Sequence, residues 1–140
     1  MTWERALPRA RELEHELANA LEALNESLRQ VEQVLTELNL GVTASVTLDE
    51  SEDGWVQCLR FGKVGKGWRL LLESGPKGRF GEWHESPLLS ASKEVRVRAV
   101  VMLPALFDAL ISEAESQLNQ IKDRTAEAHA LADKVAKKHP

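Results

Sequence analysis

An α+β fold is what three features of this chain predict: a small antiparallel β-meander of three or four strands flanked by long N- and C-terminal helices. The first feature is a leucine heptad in a stretch with no internal Pro or Gly. The second is a central region that changes to period two and is punctuated by glycines. The third is another heptad running almost to the C-terminus. The helices are expected to pair as an antiparallel coiled coil or helical bundle within a single domain. The N-terminal helix is placed at 1–41, the meander at 42–89 and the C-terminal helix at 90–138, kinked if anywhere at Pro104.

In the N-terminal helix, Leu17, Leu21, Leu24, Leu28, Val31, Leu35 and Leu38 recur at alternating spacings of four and three, the period of a left-handed coiled coil. Either Thr2 caps the helix or Pro8 occupies its first turn, and Gly41 suits the position after its C-cap. Val42, Ala44, Val46 and Leu48 then alternate with Thr43, Ser45, Thr47 and Asp49, an amphipathic strand ended by the turn-forming run 49–54. Segments 55–61 and 68–73 flank Gly62-Lys63-Val64-Gly65-Lys66-Gly67, a hairpin whose glycines can take positive φ. Ser74-Gly75-Pro76-Lys77-Gly78 turns the chain into a short segment at 79–84.

The last third is a helix again, with Ile111, Ala114, Leu118, Ile121, Thr125, Ala128, Ala132 and Val135 at spacings of three and four. Its start has two readings. Residues 95–101 can alternate as a strand, or one helix can open near Ser90 or Ser92. The serines and Glu94 favour the helix, because Met102-Leu103 caps poorly.

Helices this long exceed the needs of one small sheet, so an oligomer, a dimer first, is expected to bury Leu17, Leu21, Leu24, Leu28, Val31, Leu35, Leu118 and Ile121 in a four-helix bundle. Leu13, Ala20, Val34, Leu110 and Leu131 widen the faces. The competing reading has these positions covering the sheet within a monomer.

Charge is segregated. The chain carries a formal net charge of −4, yet residues 55–98 hold nine basic and four acidic side chains, a local +5. Arg60, Lys63, Lys66, Arg69 and Arg79, with Trp83, therefore form a candidate partner-binding surface for an acidic protein, with nucleic acid the less favoured ligand. The opposing account is structural: Trp55 and Trp68 turn inward to anchor the sheet, and edge charges deter aggregation.

Catalysis finds little support. The segment 62–67 lacks the Gly-Lys-Ser/Thr ending of a phosphate loop and joins two strands. Cys58 stands alone and His84 is its only conceivable base. His15, His84, His129 and His139 are scattered, so neither a metal nor a cofactor is expected. No apolar run reaches the ~18 residues of a membrane span, and residues 1–10 lack the apolar core of a signal peptide, which suits a cytoplasmic protein with no membrane partner. Two long helices bracketing a small sheet are similar in layout to prefoldin-type chaperone subunits. That resemblance covers the architecture and no motif, and it implies a chaperone role as one alternative. The reading favoured by the residues is a non-catalytic interaction or scaffold protein.

Overall fold

The computed structural model describes residues 2–138 and has the predicted α+β architecture. Helix α1 (Trp3–Leu38) is followed by strands β1 (Ala44–Glu50), β2 (Trp55–Val64), β3 (Gly67–Pro76) and β4 (His84–Pro87), then by helix α2 (Lys93–Lys138). The strands form one antiparallel sheet in the order β1-β2-β3-β4. Segment 79–84 is not itself a strand: Phe80–Glu82 makes a single 3-10 turn, and the fourth strand begins only at His84.

Period two places Leu59, Phe61 and Leu70 on one face of the sheet, where α1 supplies Leu28 and Leu35 and α2 supplies Ala99, Leu106 and Leu110. All eight are nearly or wholly buried, so both helices lie on the same face and share one core with the sheet. Trp68 stacks on Phe61 at 5.6 Å between ring centroids and extends this core toward the hairpin end. Beyond the end of β4, the open edge of β3 is closed by α1: the Glu32 carboxylate accepts a hydrogen bond from the Leu70 N–H at 2.9 Å. The opposite edge strand, β1, carries a bulge between Thr47 and Asp49, and Asp49 meets Arg98 of α2 at 3.5 Å.

The helix ends correct two local expectations. Thr2 is the N-cap residue but its side chain makes no capping hydrogen bond, and Pro8 lies inside the helix. At the other end Asn39, not a glycine, takes the left-handed conformation (φ 50°), and its N–H bonds to the Thr36 carbonyl. Helix α2 starts at Lys93, as the helical reading of 90–102 requires, and runs through Pro104 without interruption.

The larger correction concerns helix direction. Residues Leu21 and Leu24 line a cleft with Lys93, Glu94 and Val97, Asn25 accepts a hydrogen bond from Arg96, and Leu35 shares a cavity wall with Leu110. Increasing residue number in α1 thus accompanies increasing number in α2. The two helices run in the same direction inside one chain and form no antiparallel hairpin. At ~1.5 Å per residue the 36 residues of α1 span about 54 Å and the 46 of α2 about 69 Å. The sheet covers only the C-terminal part of the first and the N-terminal part of the second. Residues 3–20 and 118–138 are exposed throughout, as arms leaving the body at opposite ends.

Candidate interaction surfaces

The β2–β3 hairpin closes through a two-residue loop, Gly65-Lys66, between the paired Val64 and Gly67. Gly65 has φ 60°, a conformation that a side chain at this first loop position would strain. Lys66 therefore projects from the tip, whereas Lys63 sits one position inside the ladder, opposite Trp68, and Arg69 lies opposite Gly62. All three side chains are exposed, and none has an ion-pair partner among the described residues. The hairpin end is accordingly a small cationic protrusion beside the base of the α2 arm.

Of the other members of the predicted surface, Arg60 and Trp83 are engaged elsewhere and Arg79 lies apart. On the sheet face turned away from the helices, the Arg60 guanidinium reaches Glu73 on β3 at 2.7 Å and Glu85 on β4 at 2.8 Å. Its guanidinium also lies over Gly62, where an added Cβ would stand 3.1 Å from it. One cation thus clamps three strands, and its charge is neutralised locally. Arg79 is exposed in the turn before β4, away from the hairpin tip. Trp83 is half-buried, its ring against the α-carbon of Gly75 and its indole N–H donating to the Pro76 carbonyl at 3.0 Å. Trp55 is exposed to 46%, at the end of the sheet opposite the tip. Trp55 and Trp83 therefore lie away from the hairpin end, where Lys63 shares the inner face with Trp68, Lys66 sits at the tip, and Arg69 lies on the outer face with Arg60.

Cys58 faces the outer side of the sheet at the level of Thr47 and Glu73. Burial pushes its thiol above the ordinary value, against a weaker opposing hydrogen bond involving Thr47, while the nearby Glu73 charge reinforces the rise. That is the reverse of what a nucleophilic thiolate needs. His84 pairs with Ser74 at the start of β4 and is exposed. His15 and His129 lie on opposite arms, His139 lies outside the described residues, and no group of three or more potential metal ligands occurs among the described residues. In the 51–55 turn the Ser51 hydroxyl donates to Asp53, which holds that carboxyl below its usual value, an arrangement that shapes an exposed turn.

The second surface is apolar and helical. The predicted α1 seam divides: Leu28 and Leu35 are buried in the chain's own core and Val31 is half-buried there, whereas Leu17 is 56% exposed. Between these limits Leu21 and Leu24 line an open cleft of about 550 Å³ with Leu17, Ala20 and the first turn of α2. On α2, Leu118 and Ile121 are 49% and 62% exposed. The outer side of the two-helix layer, turned away from the sheet, adds Val34, Val97 and Val101. Sequence reasoning had not singled out Val97 and Val101 as surface residues. Their alternation in 95–101 reads equally well as a strand, and only the helical assignment turns them outward.

No protein family model, curated protein or solved structure matches this chain. No helix of the described residues is long and apolar enough to cross a membrane.

Proposed function

We propose that the protein is a non-catalytic scaffold that self-associates as a dimer through its two helices and presents the β2–β3 hairpin to an acidic protein partner. The observation that carries this reading is the row of large apolar side chains left exposed along both helices, Leu17, Val34 and Leu38 on α1 and Val101, Leu118 and Ile121 on α2 among them. The body uses only half of each helix for its core, so the remaining lengths serve something other than the fold. The chaperone alternative has less behind it, because arms that leave opposite ends of the body do not close into the paired helical hairpin it requires.

The cationic hairpin supports an acidic protein ligand more than nucleic acid. Lys63, Lys66 and Arg69 supply charge, but Trp68 is stacked on Phe61 and Trp83 is occupied at Gly75 and Pro76, so no indole stands free beside them to stack a base. Replacing Lys63, Lys66 and Arg69 together by Glu changes the local charge by six units at positions with no role in the core. Circular dichroism and native mass should be unchanged, while capture of the wild-type protein's acidic partners is lost. Equal capture by wild type and variant would remove the hairpin from the proposal. Binding that is indifferent to nucleic-acid sequence and falls steeply with salt would replace the protein partner by nucleic acid.

A further inference from the structure

We infer that the α1 arm is covered by the α1 arm of a second copy of this chain, the two lying antiparallel about a two-fold axis level with Glu12; this rests on the scaffold reading above. The arm continues the core. The heptad that buries Leu28 and Leu35 runs back through Leu24, Leu21 and Leu17 to Leu7 and Trp3. Along residues 3–20 neither the sheet nor α2 covers that side, and every residue there is exposed. The second arm takes, beside the first, the place that the sheet holds further along the same helix, and the two bodies sit at opposite ends of the paired arms.

Charge decides which way the second arm runs. Residues 4–11 hold Arg5, Arg9 and Arg11 against Glu4, a net +2, and residues 13–20 hold Glu14 and Glu16 with no Lys or Arg, a net −2. This order works against the helix itself, whose N-terminal end disfavours cations. Parallel pairing would lay arginine beside arginine and set Glu14 against Glu14 in the seam. Antiparallel pairing lays each positive half along a negative one, twice over in the dimer. Arg5 and Arg11 have no ion-pair partner among the described residues, and Arg11 comes beside the second copy's Glu14.

The seam sets the register. From Trp3 its members follow through Leu7, Ala10, Glu14, Leu17 and Leu21 at intervals of 4, 3, 4, 3 and 4, a pattern that reads the same from either end. An antiparallel pair centred on Glu12 therefore meets in every layer: Trp3 with Leu21, Leu7 with Leu17, and the small Ala10 with Glu14. Sliding one arm by a heptad in one direction sets Trp3 against Leu28, which is 2% exposed and already spent in the core. Sliding it in the other sets Trp3 against Glu14 and leaves Leu17 and Leu21 bare. In the remaining register Trp3, itself 70% exposed, comes level with the open cleft of about 550 Å³ that Leu17, Ala20, Leu21 and Leu24 form with Val97 of α2. The second copy's indole occupies that cleft, which brings the first turn of α2 into the contact.

Cysteine cross-linking in the full chain tests the register. In a Cys58→Ser background, chains carrying Leu7→Cys are mixed with chains carrying Leu17→Cys, left to exchange partners and mildly oxidised. The two positions come within disulfide reach only between copies, because along one helix they stand about 15 Å apart. The mixture should give a disulfide-linked species of twice the 15.6 kDa chain mass joining one variant to the other. Its yield should be at least ten times that from either variant alone. Trp3→Cys with Leu21→Cys repeats the test at the cleft should the first pair disturb assembly. Linking of Leu7→Cys to itself and of Leu17→Cys to itself means parallel arms and overturns the inference. A dimer by sedimentation that links neither pair overturns it too and leaves the scaffold reading standing. A monomer by sedimentation overturns both.

Discussion

Gly75 shows how closely the end of the sheet is built. A Cβ added there would lie 2.6 Å from two ring carbons of Trp83 and 3.0 Å from its α-carbon, too close for either to stay in place. Because the indole is also tied to the Pro76 carbonyl, the ring cannot simply swing away. Gly75→Ala should destabilise the fold by about 1–3 kcal/mol, the usual cost of overpacking, seen as a lower midpoint in urea unfolding with an unchanged slope. At this scale the sequence was partly readable. The inward orientation of Trp68 follows from alternation on β3, but the engagement of Arg60 and Trp83 does not. Both depend on the register of β2, β3 and β4, which brings Glu73 and Glu85 to Arg60 and Gly75 under Trp83, and register is a property of pairs of strands.

At the scale of elements, heptad spacing identified both helices and period two identified β1 to β3, while the short fourth strand lies a few residues later than composition suggested. Helix direction was not readable, and the reason is strand parity. Four full strands put five reversals between the helices, an odd number, and would return α2 antiparallel to α1. With only four residues, β4 is too short to carry the chain across the sheet, and the buried Leu88 turn leads it back to the end from which β4 started. Effectively four reversals separate the helices, an even number, and they come out parallel. The same division of α1 into a core half and an arm yields a prediction. Leu28→Glu buries a carboxylate at a position 2% exposed and should cost several kcal/mol, a large share of the ~5–15 kcal/mol that holds a domain together. Leu17→Glu, on the arm, should leave thermal unfolding of the isolated chain nearly unchanged while weakening self-association at least tenfold. Paired melting and dilution experiments on the two variants separate these outcomes.

At the scale of the whole molecule, a body of ordinary size carries helices that take it to about 90 Å from the N-terminal arm to the C-terminal one. Every polar side-chain atom buried among the described residues has a hydrogen-bond partner, and the core is wholly apolar, so the fold is self-sufficient where the sheet and helices meet. What the fold leaves uncovered is the exposed leucine, isoleucine and valine on the arms and on the outer helix layer, which the proposed association would cover. Sedimentation equilibrium of the full chain at micromolar concentration tests this most directly: the account predicts a mass of twice 15.6 kDa, and a stable 15.6 kDa monomer across that range would contradict it.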